Sequence, residues 1–189
     1  MWTTTLNKII SKGPCEGGWH ELLRSLNKTC ADDEPIPLAY ILRSNGLEDA
    51  IWALRTVNGH DEEIRLFAVG CARQVQHLMS DPRSIQGLDV AEMFATGQTT
   101  NRERAKARLL ALAAIQDAAG LETIHSSSAA FYTLGADAAA AASLVFSLVD
   151  KALNHIYKSS RGERGSIARA SFRSNQINYF LTMVGGNSE

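Results

Sequence analysis

Apolar residues in this chain recur at intervals of three and four, and strand-like two-residue alternation appears nowhere at useful length. The segments patterned in this way are separated by Gly13-Pro14, Asn45-Gly46, Asn58-Gly59, Asp81-Pro82, Gly97, Gly120 and Gly135, residues that stop helices or start them. The combination predicts an all-α fold: one domain, residues 1–189, holding a bundle of about nine or ten helices. A repeat-like stack of helical hairpins is the alternative arrangement, although no fixed-period repeat stands out. With 189 residues, 45% of them hydrophobic and 21% charged, such a chain can bury a sufficient core without disulfides or metals.

The clearest element runs from His60 to Ser80. Ile64, Phe67, Ala68, Cys71, Val75, Leu78 and Met79 form one stripe, with Leu66, Val69 and Gly70 on the other side, so this helix is expected at the centre with neighbours on two faces. Asp61, Glu62 and Glu63 fall in its first turn, where they suit the positive end of the helix dipole. Asp81-Pro82 reads as an N-cap followed by proline at the first helical position. Thr100-Asn101-Arg102-Glu103 has the spacing of a capping box. The segment behind that box, Ala105 to Ala119, is apolar around most of its circumference and is expected to be buried. Upstream, the pattern predicts helices over Thr3–Ser11, around Trp19, Leu22, Leu23 and Leu26, around Leu38, Ile41 and Leu42, and over Leu47–Val57. Downstream, a helix over Leu121–Leu134 is weakest at His125-Ser126-Ser127-Ser128, and two further helices carry Leu144, Val145 and Leu148, then Ile177, Phe180 and Val184.

Composition restricts function more than it identifies it. Cys15, Cys30 and Cys71 lack the spacing of a zinc site or a disulfide framework. No cofactor is expected, and a reducing cytoplasm is the natural setting. The amino terminus lacks the pattern of a signal peptide, and Ala138–Val149 is too short an uncharged run to span a bilayer, so no membrane partner is expected. The formal net charge is -1, giving no whole-molecule attraction for nucleic acid. The charge is nevertheless unevenly spread: residues 1–100 hold nine Lys/Arg against thirteen Asp/Glu, and 101–189 hold ten against seven.

The run from Ile64 to Met79 (IRLFAVGCARQVQHLM), with Asp81-Pro82-Arg83-Ser84 and Leu88-Asp89-Val90-Ala91-Glu92, resembles a family of alanine-rich helical proteins from tailed phages, prophages and bacteria that are labelled immunity proteins. Gly13-Pro14-Cys15-Glu16-Gly17-Gly18-Trp19 and the run from Asn45 to Arg55 are similar to the phage branch. The likeness covers roughly the first 110 residues and weakens beyond them, where Phe131, Tyr132, Leu144 and Phe146 replace the family's Ala-Ala-Arg and Ala-Trp repeats. The resemblance implies a context and no chemistry: an immunity or counter-defence factor, of anti-CRISPR-like or toxin-neutralising type, which binds a defence or toxin protein and occludes it without catalysis.

Arg73, His77, Asp89 and Glu92 are polar residues of that motif, and their spacing assigns them to a structural ion-pair network between two helices. His60 with the acids after it is a helix start, because successive helical residues diverge. Glu16 and His20, four apart, make a solvated face. His125 with its serines has no nucleophile elbow. The candidate partner-binding residues are the cations of the carboxy-terminal half: Arg102 and Lys106, which share a helix with Arg104 and Arg108, and then Lys158, Arg161, Arg164, Arg169 and Arg173. They suit a solvated face or an acidic protein partner. The alternative is a nucleic-acid-binding helical module using the same basic half.

Overall fold

The computed structural model describes residues 1–159 and 163–185, and the side chains of 1–156 and 170–185. Among them are ten α-helices and one pair of two-residue strands, an all-α fold. The chain divides into two compact units, Met1–His60 with Ile177–Glu189, and Asp61–Gln176. This division does not coincide with the shift in charge near residue 100.

In the first unit, Thr3–Thr4 (β1) pairs antiparallel with Ile36–Pro37 (β2), Thr3 opposite Pro37 and Thr4 opposite Ile36. The helix expected from Thr3 therefore begins later, as α1 (Leu6–Ser11), because the Thr5 hydroxyl accepts the Lys8 amide as an N-cap and leaves the β-branched threonines extended. Trp2 donates its amide to the Val184 carbonyl at 2.9 Å and accepts the Leu38 amide at 3.0 Å, and its indole stacks on His60 with ring centres 3.9 Å apart. Helix α2 (Glu16–Ser25) buries Leu22 and Leu23. Helices α3 (Leu38–Asn45) and α4 (Leu47–Ala53) are joined by Gly46 alone, at φ 92°, a conformation that favours glycine. A single 3-10 turn over Leu54–Thr56 prolongs α4.

The second unit is built on α5 (Asp61–Arg73), which packs against α6 (Pro82–Ala95), α8 (Leu121–Thr133) and α9 (Ala138–Ser159). Its Ile64, Phe67, Ala68, Val69, Cys71 and Ala72 are buried. The helix expected to reach Ser80 stops at Arg73. Gln74 and Val75 instead donate to the carbonyls three residues back, Cys71 and Ala72, and a 3-10 turn spans Gln76–Leu78. No helix-breaking residue stands there. The tighter winding keeps Val75 and Met79 buried while turning His77 out to solvent.

Asp81 caps α6 through the Arg83 amide, with Pro82 in the first turn. Thr100 and Glu103 form both halves of the capping box of α7 (Asn101–Gln116). Helix α8 runs without a break through His125–Ser128 and packs closely on α9. Small buried residues make this approach possible: Ser126, Ser127, Ala129 and Ala130 on α8, and Ala138, Ala141, Ala142 and Val145 on α9. Helix α10 (Glu163–Val184) completes the chain order.

Candidate functional site

The face of α7 departs most from what its sequence predicts. Its buried side consists of Ala107, Ala111 and Ala114, spaced four and three apart. Ala107 and Ala111 pack with Val69, Ala91 and Leu134, flanked by Val90 and Phe131. Gly87 of α6 helps: a methyl group there would lie 3.4 Å from Leu134 and 3.6 Å from Ala111, so the helices meet at close range.

Two arginines of α7 turn to the same side. The Arg104 Nη1 donates to the Leu134 carbonyl at 2.5 Å, and its guanidinium lies 5.0 Å from the centre of the Phe94 ring. Arg108 lies 4.5 Å from the centre of the Phe131 ring. The four cations of α7 are thus divided, two covering aromatic rings and two, Arg102 and Lys106, exposed with no ion pair among the described residues.

With alanines and arginines facing in, the leucines face out. Leu109 is 69% exposed, Leu110 42% and Leu112 40%, and Met93 of the neighbouring α6 is 41% exposed. The expectation of a buried α7 is therefore corrected. A helix apolar on every side has two candidate inner faces, and the neighbours accepted the one with the smaller side chains. At helical spacing Arg102 and Lys106 share the outer face with Leu109, Leu110 and Leu112. Beside them a cleft of about 270 Å³ between α6 and α7 is lined by Val90, Met93, Lys106 and Leu110, among others.

Among the other expected cations, Lys158, Arg161, Arg164 and Arg169 lie outside the described side chains. Arg173 is turned toward Asp150 of α9, 3.8 Å away, and toward the Phe146 ring.

Arg73 reaches from α5 to Asp89 at 3.0 Å and Glu92 at 2.5 Å on α6, and its other nitrogen donates to Gln76 at 3.0 Å. His77 stands apart on the 3-10 turn. The carboxylates are more than half exposed, 56% and 51%, which makes this a surface clasp between helices. Arg83 makes a second one, joining Asp81 at 2.5 Å to Asp117 at 2.6 Å.

Among the described residues the most buried arginine is Arg65, 7% exposed. It donates to the Gly135 carbonyl at 2.8 Å and to the Ala136 carbonyl, and its guanidinium lies 5.1 Å from the Phe94 ring centre. With Arg104 on Leu134, two guanidinium groups bond the three successive carbonyls at and just past the carboxyl end of α8, Leu134 to Ala136. Burial pulls the Arg65 pKa below its ordinary value, Asp61 and Asp137 oppose this, and Arg104 adds to it. Its partners are carbonyls some seventy residues away, and no local pattern announces them.

Of the serines beside His125, Ser126 and Ser127 are fully buried, and the Ser126 hydroxyl donates to the Thr123 carbonyl. Among the described residues, no three of the His, Cys, Asp and Glu side chains come together as a metal site, and no helix is long and apolar enough to cross a membrane. No protein-family model, curated protein or solved structure matches this chain.

Proposed function

We propose that this chain is a non-enzymatic binding factor of the immunity or counter-defence type that its amino-terminal motifs resemble, and that it engages an acidic protein partner through the outer face of α7. The observation that carries the reading is the exposure of Leu109, Leu110 and Leu112 on one helix, continuous with Arg102 and Lys106. Adjacent large apolar side chains left in water mark interaction surfaces more often than isolated ones do. Fully burying a leucine stabilises a complex by about 1.5–3 kcal/mol, so three partly exposed ones can anchor an interface. Two cations at the amino end of the same face, without an ion pair among the described residues, favour a partner with carboxylates at its rim, and they raise the association rate more than the final affinity. A rigid helical surface held there blocks the partner's working face by occupying it.

The test is a pull-down from the bacterial host, comparing the native chain with the double variant Leu109→Glu, Leu112→Glu and with Arg73→Ala. The proposal expects one stoichiometric protein, lost with the leucine variant, retained with Arg73→Ala and weakened by high salt. The native fold should survive, since the substituted side chains already face solvent. Retention of the same partner by the leucine variant would overturn the reading. So would a concentration-dependent dimer abolished by Leu109→Glu, which would make the face a self-association surface. Salt-dependent DNA binding that is lost on Arg102→Ala with Lys106→Ala, yet unaffected by the leucine variant, would replace it with the nucleic-acid alternative.

A further inference from the structure

Helices α2, α3 and α4 of the first unit line a small, partly open cavity of about 70 Å³, to which α1 adds Ile9. Its walls include two indoles, Trp19 and Trp52, and a carboxylate, Asp49, on a background of Ile9, Leu22 and Ile41. The glycines of α2 allow the carboxylate in. A Cβ on Gly18 would lie 2.5 Å from the Asp49 Oδ2, a separation that real atoms do not tolerate, so the carboxylate presses against a bare backbone. Asn45 holds it there: its Nδ2 donates to the Asp49 Oδ2 at 3.0 Å and to the Gly18 carbonyl at 2.8 Å. Trp52 is also held, because Arg55 lies 4.4 Å from its ring centre and the Arg55 Nε donates to the Trp52 carbonyl at 2.8 Å.

Asp49 is half-buried, and the one side chain that donates to it is a neutral amide; no cation pairs with it among the described residues. One carboxylate and two indoles, of which Trp52 already carries Arg55 over its ring, line the same small volume, and electron-rich rings beside a carboxylate suit a cation. The pocket also discriminates among cations. A lysine ammonium has three N–H donors to satisfy and a guanidinium five, and burying them unpaired is costly. This pocket supplies one carboxylate and mostly apolar wall. An ammonium whose hydrogens are replaced by methyl groups has no such donors, is weakly hydrated, and gains from both the aromatic rings and the counter-charge.

We propose that the Trp19–Trp52 pocket binds a methylated ammonium group, with the indoles packing on its methyls and Asp49 balancing its charge. The proposal uses different residues from the α7 face and stands or falls separately. Choline is the probe, with dimethylbutanol, its uncharged carbon isostere, as the comparison. Binding is read from the indole N–H resonances of the full-length protein, with Trp2, which does not line the pocket, as the internal control. Choline should move Trp19 and Trp52 saturably and leave Trp2 in place, while dimethylbutanol binds at least about fivefold more weakly. Asp49→Asn keeps the side-chain shape and should weaken choline by about five- to tenfold while leaving the alcohol's affinity unchanged, which also reports that the pocket is still formed. Competition by a trimethyllysine peptide or by phosphatidylcholine vesicles supports the proposal and tells which carrier presents the group. Equal binding of choline and its isostere, no effect of Asp49→Asn on choline, or equally tight binding of an unmethylated lysine peptide would each overturn it.

Discussion

Removing the Arg65 side chain tests whether two arginines hold the carboxyl end of α8. In Arg65→Ala, the carbonyls of Gly135 and Ala136 lose their donors in a region where the arginine is 7% exposed, and Phe94 loses a cation 5.1 Å from its ring centre. A hydrogen bond to a charged donor contributes about 1.5 kcal/mol at the low end, and the ring contact about 0.5 kcal/mol. Against these, the variant no longer desolvates a guanidinium or holds it near Arg104. The balance is a loss of about 2–3 kcal/mol, which for a chain of this size lowers the melting temperature by roughly 5–10 °C in calorimetry. Arg73→Ala, which opens a solvent-exposed clasp, should cost about 1 kcal/mol or less. Arg65→Met separates charge from bulk: it keeps an apolar stem of similar reach and leaves both carbonyls bare, so it should be destabilised nearly as much as the alanine variant. If Arg65→Met melts at or above the native temperature, or Arg73→Ala costs more than Arg65→Ala, the assignment of Arg65 as the cap of α8 is wrong.

Other consequences concern individual groups. Burial pushes the Cys71 thiol up to about 12, opposed only in part by the neighbouring Gln176 amide, while Cys15 and Cys30 are exposed. A thiol reagent at pH 8 should therefore titrate two cysteines in the native protein, and the third only after denaturant is added. Glu103 is held down at about 2, against an ordinary 4.5, by hydrogen bonds from the Thr99 hydroxyl and then from the Thr100 amide and hydroxyl. Because the depressed value belongs to the folded state, the capping box adds stability above pH 4.5 and loses it as the pH falls toward 2. A carboxyl-carbon NMR titration of Glu103 should find this low midpoint, and Glu103→Gln should flatten that part of the acid limb. His125, stacked on His155 with ring centres 5.3 Å apart, is held below its ordinary 6.5 by burial first, then by His155 and Lys151. Its neutral form is the one that the fold favours, so its contribution is present above pH 6.5 and fades as the pH falls through the lowered value. Melting temperatures of His125→Phe between pH 7 and 5 should decline less than those of the native chain.

The sequence by itself determined whatever depends on a few neighbouring residues. Asp81-Pro82 starts α6, Thr100 and Glu103 start α7, and Gly46 parts α3 from α4; each outcome is decided within about one helical turn, where a side chain can reach a free amide or a positive φ is required. The three-and-four period likewise established the all-α class. What lay beyond that reach needed the tertiary structure. Thr3–Thr4 left the helical pattern because a partner strand more than thirty residues away accepted it. Leu109 and Leu112 face out because neighbouring helices approach the alanines of α7, and nothing within α7 ranks one apolar face above the other. The pocket under Trp19 and Trp52 joins residues from four helices, with Gly18 important for the side chain it lacks. Arg65 reads locally as one more helical arginine; only the arrival of α8 places bare carbonyls within its grasp. Local signals set where helices begin and end, whereas the inner face of a helix and the partner of a buried charge are fixed by which surfaces pack together.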